Sequence, residues 1–325
     1  MLNNQCFFTH INTEGGTALK KKYDIAIIGG GTAGLTAAIY CCRAGKKTVI
    51  IEKSAYGGQI ISSSEVANYP AFSPSTGYNF AAELYDQVKE LNVDFISDNV
   101  TGIVSQTPYR IKLLSLEYES GWLESECVII ATGTESRPLG LANEKKYTGH
   151  GLSYCAVCDG AFHKGKTVAV IGGGSTALEE ALYLSFLCEK VHIIQRSSAF
   201  TAEQSLAEDV SKKENIEIHF NTTVTALYGN DRLERIKIMS EGTSFELRIN
   251  GLFVAIGRIP QNRNFDNLIA LDKDGYIIAG DNCHTSIPGI FAAGDCRTKE
   301  LRQLVTAASD GAVASLEAIK YLKKN

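Results

Sequence analysis

Two segments of the chain repeat one pattern of hydrophobic and polar positions. Each has an apolar run of strand length, a cluster of glycines, an alanine-rich helical stretch and a second apolar run. The apolar runs are residues 23–28 and 48–52 in the first segment, and residues 167–171 and 191–194 in the second. This order is typical of a β-α-β unit with parallel strands. The pattern predicts an α/β protein with two Rossmann-like dinucleotide-binding domains.

Two further apolar runs resemble each other, and each closes on a glycine. Residues 127–133 (CVIIATG) lie between the two units, and residues 251–257 (GLFVAIG) follow the second one. We interpret them as the places where the chain leaves one domain and returns to it, so that the second domain is inserted into the first. The helices after the glycine clusters are expected to end near Ala44 and Cys188, and a last helix should cover residues 304–322. The predicted boundaries are an N-terminal extension (1–22), a discontinuous first domain (23–138 and 259–325) and an inserted domain (139–258).

Length and composition agree with two domains and narrow the range of partners. The chain has 325 residues, and its net charge of −4 provides no basic surface for nucleic acid. No apolar run approaches the roughly 18 residues that a membrane helix needs, and residues 1–22 lack the pattern of a secretory signal. Nine cysteines over a long chain fit a reducing compartment better than a secreted disulfide framework. We therefore expect a cytoplasmic protein with neither nucleic acid nor membrane as a partner.

The first glycine cluster carries a full dinucleotide fingerprint. Gly29 permits a tight turn, Gly31 lets the backbone approach a pyrophosphate, and Gly34 allows close packing of helix against sheet. The amide groups at the start of the helix can then bind the phosphates. Glu52 ends the following strand, where a carboxylate can accept hydrogen bonds from ribose hydroxyls.

The second cluster keeps Gly172, Gly174 and Ala177, so it should also receive a pyrophosphate. No acid ends its second strand, because Gln195 and Arg196 followed by two serines stand there. An arginine with neighbouring hydroxyls suits a 2′-phosphate, which favours NADPH over NADH. The alternative is that Arg196 is only a solvated surface cation.

The most specific chemical feature is the sequence Cys155-Ala-Val-Cys158-Asp159. Two cysteines at this spacing can form a disulfide within one turn, and a neighbouring carboxyl can relay the proton that disulfide exchange moves. A structural zinc site normally needs four ligands, and only His163 is close enough in sequence to add one. A redox pair is therefore favoured, no metal site is expected, and the six histidines show no ligand spacing. The other seven cysteines are expected to be buried.

These elements, in this order, resemble the low-molecular-weight thioredoxin reductases (class II pyridine nucleotide-disulfide oxidoreductases), from about Lys22 to the C-terminus. The resemblance implies an FAD domain interrupted by a nicotinamide domain that carries the redox pair, and a homodimer. The matching elements are the Gly29 cluster, Gly57-Gly58-Gln59, Asn68-Tyr69-Pro70, Ala131-Thr132-Gly133, residues 155–160, the Gly172 cluster, residues 251–257, Gly294-Asp295 and Arg302-Gln303.

Carried over by position, the resemblance also implies roles for single residues. Cys158 would lie next to the flavin, Cys155 would attack the disulfide of thioredoxin or a thioredoxin-like protein, and Asp159 would be the acid/base. Asp295 would hold the ribityl or phosphate portion of FAD. The FAD contacts would be Gly29, Gly31, Thr32, Ala33, Gly34, Glu52, Lys53, Gly58, Gln59, Asn68, Thr132, Gly133, Asp295, Arg302, Gln303 and Leu304. The NADPH contacts would be Gly172, Gly174, Ser175, Thr176, Ala177, Arg196 and Gly257.

One departure from the family pattern concerns the electron donor. NADPH-dependent members usually carry His-Arg-Arg and a further Arg after the second strand, and this chain has Gln195-Arg196-Ser197 and Thr201. The loss of cations leaves NADH or reduced ferredoxin as alternative donors. A flavin dithiol oxidase and a non-enzymatic redox sensor are the alternative functions. The family alternates its two half-reactions by rotating the inserted domain, here about the strands near Thr134 and Arg258.

Overall fold

The computed structural model describes residues 22–63, 65–105 and 114–324. Residues 1–21 of the predicted N-terminal extension lie outside this range, and Lys22 already belongs to the first strand. The helices are α1 (Thr32–Arg43), α2 (Gly77–Lys89), α3 (Glu144–Tyr147), α4 (Ala156–Asp159), α5 (Ser175–Ser185), α6 (Gln204–Ser211) and α7 (Leu304–Lys324). The strands are β1 (Lys22–Ile28), β2 (Thr48–Glu52), β3 (Asp94–Ser97), β4 (Val100–Ser105), β5 (Leu114–Tyr118), β6 (Gly121–Ile130), β7 (Thr134–Ser136), β8 (Leu152–Ser153), β9 (Thr167–Ile171), β10 (Lys190–Ile194), β11 (Ile216–His219), β12 (Thr222–Tyr228), β13 (Arg235–Ser240), β14 (Thr243–Arg248), β15 (Gly251–Val254), β16 (Arg258–Pro260) and β17 (Ile290–Ala292).

The larger sheet has the strand order β3-β2-β1-β6-β5-β4. Strands β3, β2, β1 and β6 are parallel, and β5 and β4 continue the sheet in antiparallel fashion. The last residues of β6 pair with β17, so the C-terminal part of the chain returns to this sheet. Strand β2 is buried along its whole length because hydrophobic clusters lie on both faces of the sheet.

The second sheet is entirely parallel, with the order β11-β10-β9-β15-β8. Helices α5 and α6 lie on the face where Val168, Val170 and Phe253 form a core. The opposite face packs against an antiparallel sheet, β12-β13-β14, through Leu227 and Ile236. The prediction of two Rossmann-like domains is confirmed. The three-stranded antiparallel sheet had not been predicted.

Helix α5 is shorter than its sequence pattern indicated. It ends at Ser185 instead of near Cys188. The carbonyl groups of Ser185 and Cys188 accept hydrogen bonds from the Asn215 side chain, at 2.9 and 3.2 Å, and the Leu187 carbonyl accepts one from the Gly165 amide at 2.9 Å. The Leu187 and Cys188 amides both donate to the Leu184 carbonyl, at 3.0 and 2.8 Å, so the chain turns out of the helix here, and the external contacts satisfy carbonyls that have no partner within it.

The two chain crossings between the sheets lie side by side. Strand β7 leads out of the larger sheet and β16 leads back, and they pair antiparallel, with Thr134 opposite Pro260 and Ser136 opposite Arg258. The amide of Arg137 also donates to the Gly257 carbonyl at 3.0 Å. The boundaries at residues 138/139 and 258/259 stay a prediction. Within the described part of the chain, no helix combines the length and apolar character needed to cross a bilayer.

Candidate active site

The first glycine turn brings the end of β1 against the end of β6. Gly29 has a φ of +108°, and a Cβ there would collide with the carbonyl oxygen of Ala131. A Cβ at Gly34 would collide with the Gly29 carbonyl, so α1 starts as close to the turn as a backbone can. Gly31 is the N-cap of α1, and no side chain caps the first turn. The amides of this turn are therefore available to an anion.

A cavity of about 610 Å³ opens in front of this turn. Gly29 and Gly34 shape the turn behind the cavity and do not line it. The other predicted FAD contacts all line it: Gly31, Thr32, Ala33, Glu52, Lys53, Gly58, Gln59, Asn68, Thr132, Gly133, Asp295, Arg302, Gln303 and Leu304. The fold thus brings residues from both chain segments of the discontinuous first domain to one site.

Glu52 is held rigidly at one end of this cavity. It is buried, and its two carboxylate oxygens accept hydrogen bonds from the Gly30 amide at 2.6 Å and the Ser54 amide at 2.8 Å. The Ser54 hydroxyl also donates to it, at 3.0 Å. A carboxylate offers about four lone-pair sites, so it can also accept from a ribose hydroxyl. Lys53, next along the chain, forms an exposed ion pair with Glu135 at 3.2 Å.

Asp295 provides the clearest test of whether FAD fits. Its Oδ1 is buried and has no hydrogen-bond partner among the described residues, whereas Oδ2 lies 3.8 Å from Arg258. Burial is the largest influence on this carboxyl and raises its pKa above the ordinary value. A buried oxygen without a donor is costly, and a hydroxyl of a ribityl chain would satisfy it. The residues present therefore fit FAD.

The turn that carries Asp295 is anchored by a residue that the sequence did not reveal. The carboxylate of Asp310, on α7, accepts hydrogen bonds from the Gly294 amide at 2.9 Å, from two nitrogens of Arg297 at 2.8 Å and from Lys299 at 2.9 Å. These contacts lower the pKa of Asp310 despite its burial. The start of α7 and the Gly294 turn are thus locked together at the cavity wall.

Four polar residues that are predicted to contact FAD also line this cavity, and each has a contact with a neighbouring group. The Gln59 side chain donates to the Thr134 carbonyl, and the Asn68 amide nitrogen lies 3.3 Å from the Gln303 side-chain oxygen. Arg302 stacks over the Tyr276 ring, 4.3 Å from its centre. The structure thus brings Asn68 and Gln303 together although 235 positions separate them. Their roles toward FAD stay a prediction.

The Cys155/Cys158 pair forms a disulfide on the wall of the same cavity. Cys155 is the N-cap of α4, and its sulfur accepts a hydrogen bond from the Cys158 amide at 3.2 Å. Because both sulfurs are bonded to each other, neither is a thiolate ligand for zinc. His163 is buried instead against Phe253, with ring centres 5.4 Å apart.

Asp159 is held behind the disulfide by Ser153. The Ser153 hydroxyl donates to Asp159 Oδ2 at 2.5 Å and accepts from the Cys155 amide at 3.1 Å. The other oxygen, Oδ1, is buried without a partner among the residues that the structure describes. Burial raises the pKa of Asp159, and the Ser153 hydrogen bond partly offsets this effect. A carboxyl with a raised pKa can hold and release a proton, and the role of Asp159 as the acid/base stays a prediction.

Glu180 is a second acid near the pair, and no sequence motif indicates it. It lies on α5, and its Oε1 accepts the amide of Ala156 at 3.2 Å. Its Oε2 is buried and has no partner among the described residues. Burial is the main cause that raises the pKa of Glu180 to about 7. No local signal pointed to this residue, because 24 positions separate it from Ala156.

The second glycine turn repeats the backbone of the first. Gly172 has a φ of +137°, a Cβ there would collide with the Ala255 carbonyl, and Gly174 is the uncapped N-cap of α5. Gln195 is buried over Gly173, and Arg196 is exposed. None of the predicted nicotinamide contacts (Gly172, Gly174, Ser175, Thr176, Ala177, Arg196 and Gly257) is among the residues that line the FAD cavity.

Most of the remaining cysteines behave as small apolar residues, as predicted. Five of the six free cysteines that the structure describes are buried, and Cys42 is half-buried. Burial raises the pKa of Cys41 and Cys283 to about 12, which keeps them protonated. Cys6 lies outside the described residues. The histidines show no ligand spacing along the sequence, and the fold brings His192 Nδ1 to 3.0 Å from His219 Nε2.

A disulfide on the wall of a dinucleotide cavity, with a second nucleotide turn in an inserted domain, defines a disulfide oxidoreductase with two nucleotide cofactors. The chain belongs to the pyridine nucleotide-disulphide oxidoreductase family, whose sequence profile matches residues 23–311. It is thus an FAD-dependent oxidoreductase that also uses a pyridine nucleotide.

Individual relatives carry a more specific name than the family does. The thioredoxin reductase of Peptoclostridium litorale is 39% identical over 315 residues, which cover 94% of this chain and 99% of that protein. The crystal structure of thioredoxin reductase from Streptococcus pyogenes superposes with a TM-score of 0.89 at 36% identity, covering 94% of this chain and 99% of that one. The structure of Lactococcus lactis thioredoxin reductase in the FR conformation is 35% identical, with coverage of 93% and 100%, and its TM-score is 0.64.

Proposed function

We propose that the protein is a thioredoxin-disulfide reductase, which carries electrons from NADPH through FAD and the Cys155–Cys158 disulfide to oxidised thioredoxin. The observation that carries this proposal is the position of the disulfide, on the wall of the cavity that the predicted FAD contacts line. The relatives that bear the name thioredoxin reductase support the same substrate.

When bound in the cavity, FAD supplies two-electron chemistry by accepting a hydride from a nicotinamide and passing both electrons on. The Cys155–Cys158 bond takes up these two electrons and opens to a thiol and a thiolate. Cys155 then attacks one sulfur of the thioredoxin disulfide, which forms a mixed disulfide and releases the other thioredoxin sulfur as a thiolate. Cys158 attacks Cys155, restores the original disulfide and releases reduced thioredoxin.

Full reduction of the disulfide to a dithiol takes two electrons and two protons. A hydride from NADPH accounts for both electrons and one proton, and the second proton comes from solution. Asp159 is the residue best placed to deliver it. Its raised pKa lets the carboxyl hold a proton at a higher pH than an ordinary aspartate, and Ser153 fixes its orientation beside Cys155. Asp159 is therefore proposed to protonate the departing thiolate and to accept the proton when the dithiol is oxidised again.

NADPH is the proposed donor because Gln195 stands where the first domain has Glu52. Ile51 pairs with Ile28 before the first glycine turn, and Ile194 pairs with Ile171 before the second, so the next residue in each strand is equivalent. A carboxylate at this place would repel a 2′-phosphate, and a neutral amide does not. The exposed Arg196 adds the one cation expected to contact that phosphate.

Alternation between nicotinamide and disulfide requires the inserted domain to rotate. In this structure the disulfide lines the FAD cavity and the second glycine turn does not, so a pyrophosphate bound at that turn would lie outside the cavity that the disulfide faces. The paired strands β7 and β16 are a short, narrow connection about which such a rotation can take place. The lower TM-score of the FR-conformation structure, at nearly unchanged identity, supports a different domain arrangement in the same family.

We further propose a cytoplasmic homodimer. The proposal rests on the family resemblance. Sedimentation of the FAD-loaded protein at several concentrations tests the oligomeric state, and a mass that stays that of one 35.2 kDa chain would contradict a dimer.

Anaerobic titration of the oxidised yellow protein with NADPH, and separately with NADH, tests the electron path. We expect NADPH to bleach the flavin and to produce two thiols once four electrons per chain have been supplied, two for the disulfide and two for the flavin, with a smaller response to NADH. Arg196→Ala should raise the KM for NADPH and leave that for NADH unchanged. If neither nucleotide bleaches a flavin that dithionite does reduce, the donor is instead ferredoxin or the protein is a dithiol oxidase.

The double variant Cys155→Ser/Cys158→Ser is the control for the disulfide. It should retain FAD and its reduction by NADPH, and lose thioredoxin reduction completely. Thioredoxin-dependent turnover in this variant would overturn the proposed route.

A further inference from the structure

Three side chains with metal-binding chemistry meet at the β10–β11 edge of the inserted domain, away from the disulfide. Strands β10 and β11 are parallel, with His192 directly opposite Glu217. His219 lies two residues after Glu217, and residues two apart in a strand point to the same face. The register of this strand pair therefore places two imidazoles and a carboxylate together although the sequence spacing between them is not that of a metal motif.

The distances between their ligand atoms agree with a single bound ion. His192 Nδ1 lies 3.0 Å from His219 Nε2 and 3.7 Å from Glu217 Oε2, and His219 Nε2 lies 3.4 Å from Glu217 Oε1. Ligands at zinc bond lengths and tetrahedral angles are separated by about 3.3–3.6 Å. A cation between these three groups would need only small side-chain shifts.

The surroundings suit a site that is held firmly on one side and open on the other. His192 is buried, on the strand face where Ile194 packs against Leu227 and Ile236, so its ring has little freedom. The side chain of Glu217 is 46% exposed, which leaves a route from solvent. Lys190 is also half exposed and lies 2.6 Å from Glu217, so an incoming cation has to displace its ammonium group into solvent.

We propose that His192, Glu217 and His219 bind one Zn²⁺ ion, or a similar borderline divalent cation, with water as the fourth ligand. Two imidazoles and one carboxylate form a donor set that zinc accepts, and they leave one position open. The site is next to the loop proposed to hold the 2′ end of the nucleotide, because the Gln195 amide donates to the His219 carbonyl at 2.9 Å. It does not depend on the proposed reductase activity.

Calorimetric titration of the tag-free, FAD-loaded, oxidised protein with Zn²⁺ tests the site. Oxidised protein is used because the Cys155–Cys158 disulfide cannot then compete for metal. We expect one ion per chain. Loss of a residue that only hydrogen-bonds to a metal ligand lowers metal affinity roughly 10- to 100-fold. Glu217→Gln and His219→Gln each remove a ligand itself, so each should lower the affinity for Zn²⁺ by at least about 100-fold. Lys190→Gln should have the opposite effect and tighten binding, because it removes the competing cation.

His284→Gln is the matched control. His284 forms an exposed pair with Glu317 at 3.0 Å, and no third ligand accompanies it among the described residues, so its loss should leave Zn²⁺ binding unchanged. Co²⁺ in place of Zn²⁺ should give d–d bands without a sulfur-to-metal band. Absence of binding, equal affinity in Glu217→Gln and wild type, or a sulfur band from cysteine coordination would each overturn the proposal. Glu217 is exposed, so its variant keeps the test valid even if His219→Gln does not fold.

Discussion

The two glycine turns of this protein share a backbone and differ in what surrounds it. In both, a glycine with positive φ packs against a carbonyl at the end of a neighbouring strand, and a glycine N-cap leaves the first amides of a helix open. In the first domain the second strand ends in Glu52, whose carboxylate accepts a hydrogen bond from the Gly30 amide. In the inserted domain the equivalent residue is Gln195, whose amide donates to the Ala199 carbonyl at 3.0 Å.

We expect this difference to separate a cofactor that stays bound from one that exchanges. The first turn opens into a large cavity closed by residues from distant parts of the chain, including the Asp310-anchored turn at Asp295. The second turn is followed by an exposed arginine, and its glycines do not line that cavity. A glycine motif thus indicates that a pyrophosphate can bind, and the neighbouring tertiary contacts decide how firmly it is kept.

The largest expected effect comes from adding one methyl group to either turn. Gly29→Ala should give protein without FAD, because the new Cβ collides with the Ala131 carbonyl. Gly172→Ala should keep FAD and dithionite reduction, and raise the KM for the nicotinamide about 10- to 100-fold through strain of roughly 1–3 kcal/mol. Absorbance of purified protein and steady-state kinetics measure these outcomes.

Gly45→Ala is the control for this pair, since Gly45 has a φ of +72° and its added Cβ would meet nothing within 4 Å. Loss of FAD from Gly172→Ala as well would show that the two turns are not independent.

The next largest effect is expected from removing the Asp310 carboxylate, which anchors the turn at Asp295 in the first domain. Asp310→Asn should lower the free energy of unfolding by about 3–5 kcal/mol, because it leaves the buried Arg297 and Lys299 charges without their partner. The pKa of Asp310 is lowered in the folded state, so its contribution is present at neutral pH and is lost as the pH falls through that lowered value. Urea unfolding at pH 7 measures the change.

Asp281→Asn is the matched control, because Asp281 also approaches Arg297, at 3.9 Å, but is fully exposed. An equal loss of stability in both variants would show that burial of the Asp310 pair is not the cause.

A smaller effect should follow from making the second turn resemble the first. Gln195→Glu places a carboxylate beside the proposed 2′-phosphate, and should shift the ratio of kcat/KM for NADPH over NADH by at least about tenfold toward NADH. Gln195→Met introduces a side chain of similar size that lacks the negative charge of glutamate. It should weaken the binding of NADPH and NADH alike. An unchanged ratio in Gln195→Glu would mean that the 2′ position of the nucleotide binds elsewhere.

The last comparison depends on pH and concerns Glu180, the half-buried acid of the inserted domain, which lies next to the redox pair and not at the nucleotide turn. The pKa of Glu180 is raised from 4.5 to about 7 on folding, so its contribution favours the folded state below pH 4.5 and is lost as the pH rises to about 7. Glu180→Gln should therefore gain stability relative to wild type across this interval and show a constant difference above it.

Unfolding by urea at several pH values measures this difference. Glu179→Gln, at an exposed position on the same helix, is the control. A difference between Glu180→Gln and wild type that does not change between pH 4.5 and 7 would contradict the assignment.

The sequence by itself determined the features that depend on neighbours along the chain. Both glycine turns, the flanking strands and the three-residue spacing of Cys155 and Cys158 were readable, because a positive φ, a periodic apolar run and a disulfide across one turn are local constraints. The discontinuous order of the domains was also predicted, from the similarity of the apolar runs at residues 127–133 and 251–257. The end of α5 was not, because Asn215 satisfies its carbonyls from a distant segment.

Only the tertiary structure decided which distant side chains meet. Asp310 beneath the Gly294 turn, Glu180 behind the disulfide, and His192 beside His219 each join residues between 13 and 27 positions apart. Their contacts depend on strand register and on the packing of helices against sheets. Apolar periodicity shows which face of an element is buried but not which polar group lies opposite. Local motifs therefore determine which chemical groups this protein uses. The positions and pKa values of those groups depend on contacts that exist only after the chain has folded.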